Sequence, residues 1–515
     1  MAIFTSTTQL AAVALIGYAI VRGVYLVVHR LYFSPLSKFP GPKLAAVTHW
    51  YEFYFDYWKN GKYLFEIEKM HRKYGPIIRV NPDELSIHDP EFYNELYVTE
   101  SKRRTNAYEI FCKGIDFDGA HLLTTDHNLH RLRRKPLEPF FSRAGVQRLQ
   151  PLLGEVAAKL ETRIRQHAGT GKPIRLDHAY AAFSGDIIGS ICCGGRDAEV
   201  HFLDEPDFAP DWYNVIHMLV RSLPFFTGFP WLIQIVSYIP ESFLMWAMPR
   251  AQVFGKFKTI AVSHIHTALS EKKENDLKGI KTDDRGSIFR YIANSDMPES
   301  EKSLDRLTKE AQVLLGGGTA STSRTIKFAS FYILDRPELL RRLKSELGGV
   351  MAEWPERVPS WVELEKLPLL QGIIKESLRL SYGVMHRLPR VSPDLPIQYG
   401  DYVIPIGVPV GMSSYFMHSD PKVYPEPFTF NPDRWIGDID PAMNKYWVPF
   451  ARGSRNCLGF NLALAEIALA LAVIFRPGGP ELELFETDES DVIMVHDFLI
   501  PLPKVSTKGV RVLVR

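Results

Sequence analysis

Chemistry in this chain gathers first around one cysteine. The segment "PFARGSRNCLGFNLALAEIALALAVIF", residues 449–475, sets Phe450, Gly453, Arg455, Cys457 and Gly459 in the spacing F-x-x-G-x-R-x-C-x-G and then runs directly into an apolar helical stretch. The turn into a helix offers unpaired N–H groups and the positive end of the helix dipole, which together favour the anion of a thiol. Gly453 and Gly459 let backbone approach the sulfur with no Cβ in the way, Arg455 can pair with an anionic group, and Phe450 can pack over the loop and limit water. An arbitrary lone cysteine is better read as one more small buried residue. Five matched positions followed by a helix favour a thiolate ligand instead.

A second stretch carries hydroxyls where no side chain would be expected to matter. "LLGGGTASTS", residues 314–323, lies inside a segment that otherwise reads as one helix from about Ser303 to Leu334. Each glycine in a helix interior costs roughly 0.8–1 kcal/mol relative to alanine. Three in a row, Gly316, Gly317 and Gly318, predict either a close approach to the backbone or a local distortion. Two further groups stand at helical spacing: "KESLRL" places Glu376 and Arg379 at i, i+3, and "HRLRRKPLEPFFS" places His130 and Arg134 at i, i+4.

With the cysteine segment as its core, the chain resembles the cytochrome P-450 superfamily, in which a cysteine thiolate holds the haem iron. The resemblance covers about residues 38–505 and is densest from 376 to 470. It implies haem b with Cys457 as axial ligand, Phe450, Gly453, Gly459 and Gly318 around the cofactor, and haem propionates held by Arg455, Arg134, His130 and Arg390, with Arg387 as the fallback. His130 departs from the tryptophan usual at its position. Glu376 and Arg379, joined by Arg434 of "FNPDRW", are implied as a buried structural network rather than as catalysts.

The glycine stretch falls where the family has Ala/Gly-Gly-x-Asp/Glu-Thr-Thr on the helix crossing the distal face of the haem, the small residues leaving room for dioxygen. Here Gly317, Gly318 and Thr319 are followed by Ala320, Ser321 and Thr322, so the acid is missing and one threonine is a serine. Ser321 and Thr322 are therefore the candidate catalytic hydroxyls. Oxygen cleavage needs proton delivery that an acid and an alcohol usually organise. Two outcomes follow: a monooxygenase with a rewired relay, favoured because Ser321 keeps a hydroxyl, or a rearrangement, dehydration or peroxide-using reaction that needs fewer protons.

The elements that must position these residues are mostly helical. Helical periodicity dominates residues 130–345, while the text of 77–97 alternates like short strands, with Pro82 and Asp83 as turn residues, before moving into a helical pattern, and 395–415 is strand-like, giving a mainly α fold of the α+β kind with a small β-rich part. The run "EKKENDLKGIKTDDR", 271–285, reads as a solvated loop. The apolar stretch 223–249, broken by Pro230 and Pro240, reads either as buried core or as a surface dipping into a membrane interface through Phe225, Trp231 and Trp246. Pocket walls implied by the resemblance are Tyr108–Leu123, Leu314–Ala320, Val384, Met385 and Val495–Ile500, predominantly apolar and suited to a lipophilic ligand.

Residues 9–28 are apolar and long enough to span a bilayer, where about 20 residues suffice. No charge precedes Arg22, whereas Arg22, Arg30, Lys38 and Lys43 crowd the far flank, which leaves the body on the cytosolic side. We expect an anchor over 1–32, a proline-rich hinge over 33–44 and a catalytic domain over 45–515, at the endoplasmic reticulum membrane. Four cysteines (Cys112, Cys192, Cys193, Cys457) in 515 residues, with no C-x-x-C pair, agree with a reducing compartment. A net charge of +2 without a basic stripe speaks against nucleic-acid binding. No nicotinamide or flavin domain is legible, since the glycine triplet lies in mid-helix rather than after a strand. Electrons are expected from a separate membrane-bound NADPH reductase. "KFPGPKLAA" and "YGPIIRVNPDELSIHDPEFYNELY" look like fungal enzymes of secondary metabolism, whose substrates include terpenoids and polyketides. The rival class is a membrane-anchored haem sensor without turnover, which would bind carbon monoxide but release no oxidised product.

Overall fold

A helix that is apolar all round has to be buried all round, and two such helices set the frame. The computed structural model describes residues 2–109, 119–194, 201–229, 231–236, 238–247, 252–278 and 286–515. Labels are given to the elements that matter for the site: α1 (Ala2–Val28), α2 (His127–Arg134), α3 (Leu176–Cys193), α4 (Pro210–Gly228), α5 (Gln252–Leu277), α6 (Leu304–Asp335), α7 (Pro368–Leu380) and α8 (Phe460–Phe475). Nearly every residue of α3 is buried, and so is almost all of α8 after its first turn. Both pack against α6, the longest of the described helices. Tyr180 meets Ser330 at 2.8 Å, and Ile188 meets Gly318, so α3 and α6 run antiparallel.

The predicted long helix is present from Leu304 to Asp335 and passes through all three glycines without a break. Close approach occurs at one of them only. A Cβ on Gly318 would lie 3.1 Å from the Ile188 side chain, whereas Cβ atoms on Gly316 and Gly317 would meet nothing within 4 Å.

Strands β1 (Ile77–Arg79), β2 (Leu85–Ile87), β3 (Asn106–Ala107), β4 (Arg390–Val391) and β5 (Pro409–Gly411) form one sheet in the order β1-β2-β5-β4-β3. The β2–β5 pair is parallel and the other pairs are antiparallel. A second hairpin joins β6 (His496–Phe498) to β7 (Ile500–Leu502).

Residues 9–33 form an apolar helical span of mean hydropathy 2.0 with no buried residue, exposed along most of its length and half-buried at 26 and 29–31. The chain stays helical to Phe33, five residues beyond the stretch expected from sequence. The proline-rich segment that follows is docked rather than free, because Leu36 and Phe39 are buried against the sheet and the Arg79 guanidinium donates to the Arg30 carbonyl at 2.7 Å.

Two expectations are corrected. Residues 271–277, read as loop, are the last two turns of α5. Glu and Lys are good helix formers, and the apolar face of Ala261, Ile265 and Ala268 already anchors that helix. The buried-core alternative for 223–249 fails from 231 onward among the described residues, where Trp231, Tyr238, Phe243 and Trp246 are all more than half exposed, whereas Phe225 is half-buried against Tyr57 and Phe229. Cys112 and the pocket stretch 110–118 lie outside the described residues.

Candidate functional site

The loop carrying Cys457 is held from both sides. The Cys457 N–H donates to the Phe450 carbonyl at 2.8 Å, closing the turn, and the Ser454 N–H reaches the Val98 carbonyl at 3.1 Å. Gly453 sits at φ +75°, and a Cβ there would fall 2.4 Å from the Val98 oxygen, so the glycine serves this backbone approach. At Gly459 there is room, with only Phe141 at 3.9 Å. Phe450 packs edge-on to Trp447 and near Phe460, closing the back of the loop.

The sulfur lies deep yet open. Cys457 is exposed on one side, while burial of the rest of its surroundings pushes the thiol pKa up. A backbone N–H of Gly459 and the charge of Arg134 pull the other way. No side chain caps the start of α8, so its first-turn N–H groups point at this region.

Arg134, on α2, clamps the residue before the cysteine: its guanidinium donates to the Asn456 carbonyl at 2.6 Å and to Asn456 Oδ1 at 2.9 Å. Asp126 caps α2 by accepting from the Leu129 N–H at 2.8 Å, which fixes the helix that presents both Arg134 and His130. Arg455 donates to the carbonyls of Thr105, Thr124 and Thr125. Arg390, on β4, stacks over the Tyr97 ring at 5.4 Å. These residues share one neighbourhood, because burial and then the charges of Arg455, His121, Arg134 and Arg390 drive the His130 pKa down to about 2. His130 is therefore neutral, and its buried Nδ1 has no hydrogen-bond partner among the described residues. Arg387, the fallback, is engaged elsewhere: it is buried between Glu84, at 2.7 Å, and Glu52.

Three guanidinium groups around an unpaired imidazole nitrogen, beside a cysteine open on one side, fit a flat group that carries carboxylates and a metal. Haem is such a group. Cys457 would hold its iron, and Arg134, Arg390, Arg455 and His130 would face its propionates.

Behind the loop, Glu376 accepts from Arg379 at 2.8 and 2.9 Å, Arg434 at 3.0 Å, the Trp435 indole at 2.8 Å and the Asn431 N–H at 3.0 Å. Glu376 and Arg379 are fully buried. Arg379 donates on to the His418 carbonyl, and His418 Nε2 accepts from the Val448 N–H at 2.9 Å, so the network ends two residues before Phe450. Trp435, Asn431 and His418 were not identified from sequence. Nor was Glu310, a buried carboxylate on α6 that accepts from His121 and, at 2.7 Å, from Arg306.

On α6, Gly317 is exposed and Ser321 half-buried, marking an open face on an otherwise covered helix. Ser321 Oγ donates to the Gly317 carbonyl at 3.0 Å, which leaves its lone pairs available. Thr322 is turned into the packed interior. A half-open cavity of about 700 Å³ lies between α4, Phe498 of β6 and residues 56–60, with Asp56, Asn60, Asn214 and Ser222 on its wall; Phe498 is the one residue it shares with the pocket walls named from sequence, and none of Cys457, Arg134 and Ser321 lines it.

A mainly helical fold with a cysteine at a helix head and a cationic cluster beside it defines a haem-thiolate enzyme. Comparison with known proteins makes the family explicit: residues 40–477 match the family model described as cytochrome P-450. The chain belongs to that family and is a cytochrome P-450 monooxygenase. A monooxygenase named oblB from Cochliobolus heterostrophus is 49% identical over 98% of this chain and 96% of its own. The fusicoccadiene C-8 hydroxylase of Phomopsis amygdali is 49% identical over 98% and 97%. The stellatic acid synthase of Emericella variicolor is 43% identical over 96% and 93%.

Proposed function

We propose that this enzyme inserts one oxygen atom of dioxygen into a lipophilic secondary metabolite, with a terpenoid skeleton as the substrate class. The overall change is RH + O2 + NADPH + H+ to ROH + H2O + NADP+, the electrons arriving through a separate NADPH reductase. The observation that carries the reading is Cys457 at the head of α8, open on one side and flanked by Arg134. Relatives named as a fusicoccadiene C-8 hydroxylase and a stellatic acid synthase support oxidation of a small organic skeleton.

Haem, when bound, supplies the oxygen-activating and one-electron chemistry. The chain's own residues do the rest. Arg134, Arg390, Arg455 and His130 bind and orient the cofactor by its acidic edge. Glu376, Arg379 and Arg434 keep the cysteine loop fixed. Gly317 leaves space on the open face of α6, and Ser321 presents a hydroxyl there for a proton in transit. The body from 45 to 515 is the catalytic domain, 1–32 the anchor and 33–44 the connection, with the endoplasmic reticulum membrane as the site of action.

Microsomes containing the full chain and a reductase, incubated with terpenoid and polyketide candidates, should yield a terpenoid product heavier by one oxygen atom in the mass spectrum. Oxygenation of polyketides alone would overturn the substrate class. A second reading, a rearrangement, dehydration or peroxide-using reaction, is favoured by the single observation that Ala320 carries no acid. Product formed without NADPH would select it.

A further inference from the structure

Four buried arginines of this chain each meet a carboxylate: Arg379 pairs with Glu376, Arg387 with Glu84, Arg306 with Glu310 and Arg476 with Glu161. Arg324, on α6, is only 5% exposed and meets none among the described residues. Its Nη2 donates to the Gly383 carbonyl, while its buried Nε and Nη1 have no partner among the described residues. Those two atoms carry three of the five N–H donors of a guanidinium. Burial lowers the Arg324 pKa to about 10, and the one group acting against this is the Tyr213 phenol, so the side chain is still charged at pH 7. A buried charge without a counter-charge is costly, and unpaired buried donors are uncommon enough to need a cause.

The carboxylate of this neighbourhood is already filled. Asp177, on α3, accepts from Lys327 Nζ at 2.8 Å, from the Tyr213 hydroxyl at 3.0 Å and from the Val510 N–H at 2.7 Å. Lys327 is thereby neutralised, which leaves Arg324 as one unmatched positive charge. It also stands apart from the cations assigned to the haem propionates, since none of Arg134, Arg390 and Arg455 acts on it. Gly317, Ser321 and Arg324 follow i, i+4, i+7 along α6, so Arg324 continues the face that is exposed at Gly317 and half-buried at Ser321, roughly 5 Å beyond the serine. Gly383 directly precedes Val384 and Met385 of the expected pocket wall. On α4, the half-buried rings of Tyr213 and His217 lie 3.8 Å apart, and the charge of Arg324 acts on both. His217 is also part of the wall of the 700 Å³ cavity. The guanidinium therefore stands where α6, the turn after α7 and α4 come together.

We propose that Arg324 anchors a carboxylate carried by the substrate, so that the enzyme's ligand is a terpenoid acid rather than a hydrocarbon or a neutral alcohol. The inference rests on the monooxygenase reading above and names the polar group of its substrate. One unmatched charge selects that group. A carboxylate brings one negative charge and accepts from several N–H donors at once. A diphosphate brings more charge than the site can match, and a hydroxyl or carbonyl leaves the guanidinium uncompensated. Nε and Nη1 are covered, so a shift of the α4 side chains accompanies binding, and rearrangements of that size are ordinary at binding sites. The apolar body of the ligand then extends from Arg324 along the face that carries Ser321. This arrangement puts carbons of the skeleton, and not the acid, at the position of oxygen insertion.

The test uses the full-length holoenzyme in detergent, with abietic acid and farnesoic acid as probes, each beside its methyl ester. A shift of the haem absorption band and a rise in thermal midpoint both report binding without turnover. The wild type should bind at least one acid about tenfold or more tightly than its ester, as expected for a hydrogen bond to a charged group. Arg324→Met should erase that preference, and Arg324→Lys, which keeps the charge but not the planar donors, should retain part of it. With no probe added, Arg324→Met should have a thermal midpoint no lower than the wild type, because it removes a buried charge that lacks a counter-charge; an arginine kept for the fold would lower it. No preference for either acid in the wild type overturns the proposal, and so does a preference that survives Arg324→Met. A lowered midpoint or missing haem in Arg324→Met overturns it as well and marks Arg324 as structural. An acid preference with no oxygenated product under NADPH and a reductase would leave Arg324 in its role and overturn the monooxygenase reading instead.

Discussion

At the scale of single residues, the cysteine loop is specified by contacts that tolerate no addition. A methyl group on Gly453 would meet the Val98 carbonyl at 2.4 Å and hold a left-handed backbone, so Gly453→Ala should cost roughly 1–3 kcal/mol and loosen the loop. The expected readout is a lower denaturation midpoint together with reduced haem retention in the purified protein; an unchanged midpoint would show that the loop can shift. The spacing of Cys457, Arg455 and Arg134 was legible because it is local to one turn or one helix. The partners that make the spacing work were not legible. Val98 touches Gly453 from more than 350 residues away, and His418 and Trp435 gain their roles only when α7 folds against the loops that follow it. Arg390 stood ahead of Arg387 in the sequence already; what the sequence hid is that the fold brings Glu52 and Glu84 onto Arg387.

Helices carry the next level. Glu376 accepts five hydrogen bonds from within and beyond α7. Replacing it by glutamine leaves Arg379 and Arg434 short of a counter-charge, a loss of roughly 3–5 kcal/mol by analogy with broken buried pairs. Glu376→Gln should therefore accumulate as haem-free protein even though no ligand to the haem is altered; full haem content would contradict the network's role. On α6, Ser321→Ala removes the one catalytic-candidate hydroxyl on the open face and should lower product per NADPH while leaving the haem spectrum intact. Unchanged coupling would count against Ser321 as part of the relay. The extent of α6 was legible from its periodicity, as were the strands near 77–87 and 397–411. The end of α5 was not: the charges of Glu271 to Glu274 resemble a solvated loop in a sequence, and only the buried face upstream shows that the helix continues.

For the whole molecule, the question is how the body meets a membrane. The apolar helix through Phe33 has no buried residue and is exposed along most of its length, and Trp231, Tyr238, Phe243 and Trp246 are further exposed aromatic residues. Deleting residues 1–33 should release most of the enzyme from microsomes yet leave a residual, detergent-sensitive association through those aromatic residues. Deleting on through 40 should do more, since Leu36 and Phe39 are buried and each such side chain contributes roughly 1.5–3 kcal/mol. A drop in thermal midpoint for the longer deletion but not the shorter one checks this. The apolar helix was legible from composition alone, whereas the docking of residues 34–42 on the sheet was hidden, because prolines in a sequence read as a hinge whatever they pack against.

The measurement that bears most directly on all of this is the carbon monoxide absorption spectrum of the reduced enzyme, taken on the wild type and on Cys457→Ser. The wild type should give the long-wavelength band of a thiolate-ligated haem, and the serine variant should lose that band together with product formation. A serine variant that kept both would mean that the sulfur at 457 does not hold the iron.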